Sequence, residues 1–327
     1  MFLGVDGGGT KTALCLIDHD GHMIAQRKVQ SVDYFAHGIG IVGQILAPAV
    51  QGVCAEAGIT PDELKFAFFG LPTYGEVSGD VAALDTAPRA ALGHDRYRCN
   101  NDMVCRWAGS LGAADGINVI SGTGSMTYGE RAGTGVRIGG WGELFGDEGS
   151  AYWIAVRGLN AFSLMSDGRL APGPLMDVLR VHLDLAADLD LVDVVLNRWK
   201  GSRSEIAALS RQVGEAAARG DTVCSTILAD AGRELATLVD CTRRRLGFGD
   251  AETVPVSYSG GMFSSEVVLH AFTDELTRRD PHHEIRQPLY TPEVGAALYA
   301  AKLAGTPLSP DALARLRTDS VPTTTTV

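Results

Sequence analysis

Twice in this chain an apolar strand runs into a cluster of glycines and hydroxyl residues and is followed at once by another strand. Phe2-Leu3-Gly4-Val5-Asp6 leads into Gly7-Gly8-Gly9-Thr10-Lys11, and Thr12-Ala13-Leu14-Cys15-Leu16-Ile17 follows. About 115 residues later, Ile117-Asn118-Val119-Ile120-Ser121 leads into Gly122-Thr123-Gly124-Ser125 and then Met126-Thr127-Tyr128-Gly129. Each copy continues into a third strand: Met23-Ile24-Ala25 after the Asp20-Gly21 turn, and Val136-Arg137-Ile138. A unit of this length that recurs once predicts two similar α/β lobes rather than a solenoid of short repeats. A chain of 327 residues has room for both.

Two familiar phosphate loops fail on spacing. In a Walker A loop Gly-Lys-Ser/Thr is contiguous, but Thr10 separates Gly9 from Lys11. A Rossmann fingerprint starting at Gly7 would need a third Gly or Ala where Thr12 stands, and both motifs open a helix. What remains is a hairpin whose glycines admit backbone N–H groups close to a ligand, or an ordinary tight turn. The 40 glycines matter through their placement: Gly7 to Gly9, Gly122 and Gly124, Gly139 to Gly149, and Gly260-Gly261 all fall at strand ends or helix starts. Asp6, at a strand end, is suited to holding Mg²⁺ through water.

Between and after the hairpins the pattern alternates helix and strand. Apolar residues at helical spacing from Ile39 to Ala57 predict a helix closed by Gly58, and Thr60-Pro61-Asp62-Glu63 is a capping box. Strands are expected at 65–70 and 97–100, with a helix over 78–92. The second half is mostly helical, over 148–165, 173–184, 203–219 and 221–246; a strand at 254–259, a helix over 264–279 and a last helix over 291–304 follow. These divide the chain at 1–116, 117–290 and 291–305, the last a helix packing back on the first lobe. The 306–327 tail, with four consecutive threonines, is expected to be partly disordered.

Composition removes several classes of function. The net charge is −11 with no basic run, which argues against a nucleic-acid surface but not against one small polyanion held by backbone N–H groups and metal. No apolar run approaches the roughly 20 residues of a membrane span, and the N-terminus lacks a leader pattern. The six cysteines show no Cys-x-x-Cys spacing and read as structural thiols in a reducing cytoplasm. His282-His283, after Asp280-Pro281, reads as a polar turn rather than a metal site.

The middle of the chain narrows the reading. Asn101-Asp102, then Ile120 to Ser125, then Gly139-Gly140-Trp141-Gly142-Glu143-Leu144-Phe145-Gly146-Asp147-Glu148-Gly149-Ser150 closely resemble N-acetylglucosamine kinases and their BadF/BadG-type ATPase relatives, within the actin, Hsp70 and sugar-kinase superfamily. With Asp6 to Thr12 and Gly260-Gly261, the resemblance spans nearly the whole chain in order. It implies two actin-like (ribonuclease H-like) lobes with an ATP and sugar cleft between them, the second lobe rich in helix. It also implies MgATP, a small amino sugar as the partner substrate, and a homodimer.

By that resemblance Asp102 is the catalytic base, taking the proton of a sugar 6-hydroxyl as it attacks the γ-phosphate. The plainer alternative is an Asp that caps the following helix through Val104 or Cys105. ATP contacts are expected at Gly8, Gly9, Thr10, Lys11, Gly122, Thr123, Gly124, Gly260 and Gly261, although Lys11 reads almost as well as a solvated hairpin lysine. Sugar contacts are expected at Asp33, Tyr34, Asn101, Thr123, Gly140, Asp147 and Glu148. Glu148 fits the start of a helix equally well, and Trp141 reads as packing under the glycine turn. Many N-acetylglucosamine kinases carry Asn where this chain has Asp33; a carboxylate there favours a free ammonium at C2, so glucosamine stays open, as does a loop Asp that starts a turn. A second function, ATPase activation of a CoA-dependent dehydratase, needs cluster-binding cysteines after the second hairpin, and no pair is placed there.

Overall fold

A computed structural model describes residues 1–319, which form two compact units: residues 1–115 with those from Gln287 onward, and Gly116–Arg286. In the first unit β1 (Phe2–Gly7), β2 (Lys11–Ile17) and β3 (Met23–Gln30) form the antiparallel meander. β4 (Phe66–Leu71) and β5 (Tyr97–Asn101) continue the sheet in parallel on the other side of β1, giving the order β3-β2-β1-β4-β5. Leu3, Val5, Leu14, Leu16 and Phe69 pack with Val42, Leu46, Val50 and Val53 of α2 (Gly40–Glu56), which follows the short α1 (Tyr34–His37).

The expected helix over 78–92 is broken into α3 (Val81–Thr86) and α4 (Arg89–Leu92). Pro88 stands at the break; it offers no N–H, and its ring clashes with the carbonyl four residues back in a continuous helix. α5 (Met103–Leu111) starts directly after β5, with Met103, Val104 and Trp107 buried.

The second unit repeats the topology of the first. β6 (Gly116–Ser121), β7 (Ser125–Arg131) and β8 (Thr134–Gly139) are antiparallel, and β9 (Val254–Ser259) and β10 (His283–Arg286) pair in parallel, in the order β10-β9-β6-β7-β8. The polar turn expected at His282-His283 ends one residue early: His282 donates its N–H to Asp280, and His283 begins β10. Helices α6 (Ala151–Ser166), α7 (Pro174–Leu183), α8 (Asp190–Val192), α9 (Arg203–Ala208), α10 (Ser210–Ala218), α11 (Thr222–Leu246) and α12 (Glu266–Arg279) contribute to its core. The single helix expected over 203–219 is divided at Leu209, whose N–H bonds the carbonyl three residues back instead of four.

The chain then returns to the first unit. α13 (Pro292–Leu303) lies on β1, β2, β4 and α5, and α14 (Pro310–Asp319) follows. That helix corrects the expectation of disorder from 306 onward. Leu308, Ala312 and Leu316 are buried at four-residue spacing, and Arg315 donates to Asp20 O at 2.6 Å. The four threonines lie outside the described residues, and counting them with this segment hid its apolar face. Five of the six cysteines are buried, Cys241 partly so. Among the described residues no helix is long and apolar enough to cross a membrane.

Candidate active site

In the first unit the register of three strands assembles an acidic corner. Asp6 lies beside Gly70 on β4, and Gly70 beside Asn100 on β5. Gly70 has no side chain because α5 begins against it: a Cβ there would stand 2.2 Å from Cys105 Sγ and 3.1 Å from Asp102 Cα. Asp102 occupies the cap position of α5 but makes no side-chain cap. Asn101 does that work, its Oδ1 accepting from Met103 N–H at 3.1 Å while Nδ2 donates to Tyr74 O at 3.2 Å. Asn101 is buried with both ends of its amide engaged, so it braces the corner.

The Asp102 carboxylate faces Arg106, one turn along α5, at 3.8 Å, and the backbone N–H groups of Asp102 and Met103 also act on it. Burial pushes the Asp102 carboxyl up from its ordinary value, and the guanidinium offsets part of this. Asp6 is pushed up to about 7 by burial, offset by Arg106 and reinforced by Asp102 and Glu293. Its Oδ1 is buried and without a protein partner. Among the described residues no three His, Cys, Asp or Glu side chains gather as a metal cage. Mg²⁺ ordinarily takes only one or two carboxylates with waters and phosphates, and the unpaired Asp6 oxygen fits that requirement.

The Asp6 shift makes a prediction for the protein without nucleotide or metal. Between the ordinary carboxylate range and about 7, folded Asp6 holds a proton that the unfolded chain releases. Its burial therefore costs stability above about pH 7, and the cost is relieved as pH falls through that value. Asp6→Asn is expected to unfold at higher denaturant than wild type at pH 8, by on the order of 1–3 kcal/mol, with the advantage shrinking towards pH 5. Urea titrations at the two pH values decide it; a pH-independent difference would refute the assignment.

The first hairpin is anchored at its base and open at its tip. Gly8 N–H donates to Lys11 O at 2.9 Å, and Ser31 Oγ donates to Gly8 O at 2.7 Å. Gly9, Thr10 and Lys11 are exposed. Ser31 Oγ also accepts from Asp33 N–H at 3.0 Å, which ties the Asp33 loop to the hairpin. Asp33 caps α1 by accepting from Phe35 N–H at 3.1 Å, and Tyr34 is buried.

In the second unit the motif block is bonded to its hairpin residue by residue. Gly122 O and Thr123 O accept from the N–H groups of Ala151 and Tyr152 at the start of α6, at 2.8 and 3.4 Å. Ser121 Oγ donates to Gly149 O at 2.9 Å, and Ser125 Oγ to Glu148 O at 2.6 Å. Ser150 caps α6, and Glu148 lies two residues ahead of it. Asp147 is 2 % exposed and has φ +58°, a left-handed backbone that Asp adopts more readily than most residues. Burial pushes its carboxyl up, offset by Arg203 and by the N–H groups of Ser125 and Gly142.

Gly140 O accepts from Arg137. Trp141 does not pack under the glycine turn as expected: it is 73 % exposed, with Leu144 and Phe145 also in solvent. Gly139, Gly140 and Gly142 all have positive φ and carry the loop outward.

Gly260, at φ +103°, closes on the strand before the hairpin; a Cβ there would fall 2.2 Å from Ser121 O. This brings Gly261 to the wall of an open cavity of about 740 Å³, with Gly122, Thr123, Ala151, Ser204 and Ser265. The N–H groups that open α6 are already engaged by Gly122 O, Thr123 O and Ser150, so this concave wall offers a ligand its hydroxyls, those of Thr123, Ser204 and Ser265.

Sequence reading missed Arg106, Arg203 and Glu143. The four-residue spacing of Asp102 and Arg106 was a legible pairing signal. Arg203 gave none, since it stands 56 positions from Asp147.

The model of the BadF/BadG/BcrA/BcrD ATPase family matches residues 3–300. The chain is 30% identical over 311 residues to the N-acetyl-D-glucosamine kinase of Dictyostelium discoideum, covering 92% of this chain and 97% of that one. It is 28% identical to the N-acetylmuramic acid/N-acetylglucosamine kinase of Clostridium acetobutylicum, covering 80% and 85%. Among solved structures, a candidate N-acetylglucosamine kinase from Chromobacterium violaceum superposes with a TM-score of 0.67 at 25% identity, covering 91% of this chain and 98% of that one. Matched by that model over nearly its whole length, the chain belongs to the BadF/BadG/BcrA/BcrD ATPase family.

Proposed function

We propose that this protein is an ATP-dependent kinase that phosphorylates the 6-hydroxyl of glucosamine or N-acetylglucosamine. The observation that carries the reading is Asp102, a carboxylate at a strand end that is relieved of helix capping by Asn101 and held beside Arg106. Amino-sugar kinases as near full-length relatives support it. A dehydratase activator is not favoured, since five of the six cysteines are buried and the sixth lies along α11.

Phosphoryl transfer needs positioning, charge compensation and a base. Asp102 accepts the hydroxyl proton as the sugar oxygen attacks; its raised carboxyl makes it a better base near neutral pH than an ordinary aspartate. In the first unit Gly8, Gly9, Thr10 and Lys11, and in the second Gly122, Thr123 and Gly124, are the proposed ATP contacts, through open hairpin backbone and the hydroxyls of Thr10 and Thr123. Gly260 and Gly261 shape the nucleoside wall of the cavity. Mg²⁺ would be held through Asp6 and would neutralise phosphate charge. The proposed sugar contacts are Asp33, Tyr34 and Asn101 on the first unit and Gly140, Asp147 and Glu148 on the second. A homodimer acting in the cytoplasm belongs to the same proposal, and sedimentation of the pure protein tests the first part.

A coupled ADP-release assay with glucosamine, N-acetylglucosamine, glucose and N-acetylmannosamine tests the function. ADP release that depends on an amino sugar is expected, and sugar-independent hydrolysis would overturn the reading. Asp33→Asn is expected to shift the kcat/KM ratio of glucosamine to N-acetylglucosamine by about tenfold towards the acetylated sugar. An unchanged ratio leaves Asp33 as the cap of α1 alone.

A further inference from the structure

We propose that Arg203 is the positioning residue of the sugar site: it holds Asp147 in place as a hydroxyl acceptor and locks it to the second hairpin. This rests on the kinase reading and deepens it. Arg203 opens α9, yet its guanidinium meets two carboxylates of the motif block and lies close over the second hairpin. Nη2 donates to Asp147 Oδ2 at 2.5 Å, and Nε lies 3.2 Å from Glu143 Oε2. A Cβ on Gly124 would stand 2.6 Å from that same Nη2 and 2.7 Å from Asp147 Oδ2. Arg203 and Asp147 therefore close together over the hairpin at Gly124, where it has no side chain.

The chemistry requires such a cation. Asp147 is almost wholly inaccessible, and a buried carboxylate without a charged partner is costly. A carboxylate has about four lone-pair directions. Arg203 and the N–H groups of Ser125 and Gly142 occupy three, which leaves one acceptor direction for a sugar hydroxyl. The planar fork of arginine reaches Asp147 and Glu143 at once, whereas an ammonium reaches one point. Ser204, the next residue, lines the cavity with Thr123. One side chain thus ties the sugar acceptor, the phosphate hairpin and the cavity wall into a single rigid group.

Steady-state kinetics of the full chain, with glucosamine and N-acetylglucosamine varied at saturating MgATP, test this with Arg203→Gln and Arg203→Lys. Arg203→Gln is expected to raise the sugar KM about tenfold or more with kcat changed less than about threefold, the signature of lost uniform binding. Arg203→Lys keeps the charge and is expected to be intermediate, about threefold. A sugar KM within about twofold of wild type in both variants overturns the proposal, as does a lysine variant no better than the glutamine one. A fall in KM overturns it too, because it makes Arg203 an occluding group. Should Arg203→Gln fail to fold, Arg203→Lys decides alone: an intermediate rise supports the role and an unchanged KM refutes it. If the wild type shows no sugar-dependent ADP release, the kinase reading itself fails, which is a different result.

Discussion

Asp102→Asn is expected to lower amino-sugar-dependent turnover by about 10³-fold or more while leaving the fold and nucleotide binding intact. The substitution is nearly isosteric and removes the negative charge and with it the ability to accept a proton. The fold should survive because α5 is capped by Asn101, whose Oδ1 takes the Met103 N–H, and not by Asp102. The ion pair with Arg106 spans 3.8 Å with both side chains partly in solvent, so its removal costs little stability. The measurement is ADP release at saturating sugar and MgATP, beside a thermal melt and a nucleotide titration on the same preparation. Turnover within tenfold of wild type, with melting and nucleotide affinity unchanged, would remove Asp102 from the role of base. A large fall in melting temperature would instead make Asp102 a structural residue.

Gly295→Ala is expected to lower stability by about 3 kcal/mol, which is roughly 6–12 °C in Tm for a unit of this size. Gly295 faces α5 from α13, where an added Cβ would stand 2.1 Å from Gly109 N, 2.4 Å from Cys105 O and 2.4 Å from Gly109 Cα. All three are backbone atoms, so no side chain can rotate away, and one helix must move off the other. Gly43→Ala is the control. It lies inside α2 with nothing within 4 Å, so it should be neutral or slightly stabilising through helix propensity. Because α5 begins beside Asp102, the Gly295 variant should also lose activity in proportion to the displacement of that helix. Equal Tm values for the two variants would show that α13 and α5 are not in close contact.

The legible parts of this protein share one property: they depend on residues adjacent in sequence. Both hairpins announce themselves because a glycine cluster between two apolar runs marks a chain reversal, and the capping box at Thr60 is local in the same way. Asp6 and Asp102 could be singled out because each ends a strand. The misreadings came where context overrode the local pattern. Trp141 is apolar enough for a core, yet three positive-φ glycines turn its loop outward. The tail helix 310–319 looked unstructured when counted with the threonines beyond it, and β10 was hidden because His283, Glu284 and Arg286 are polar in an edge strand.

The chain's own order of residues was enough to set two strand–hairpin–strand units and their glycine turns, since each follows from backbone conformations available over a few residues. Packing alone decided that Asn101 rather than Asp102 caps α5 and that Arg203 is the partner of Asp147. Those choices are made between groups brought together by folding. A buried carboxylate takes whichever cation the packed core leaves within reach, and spacing along the chain carries no record of which one that is.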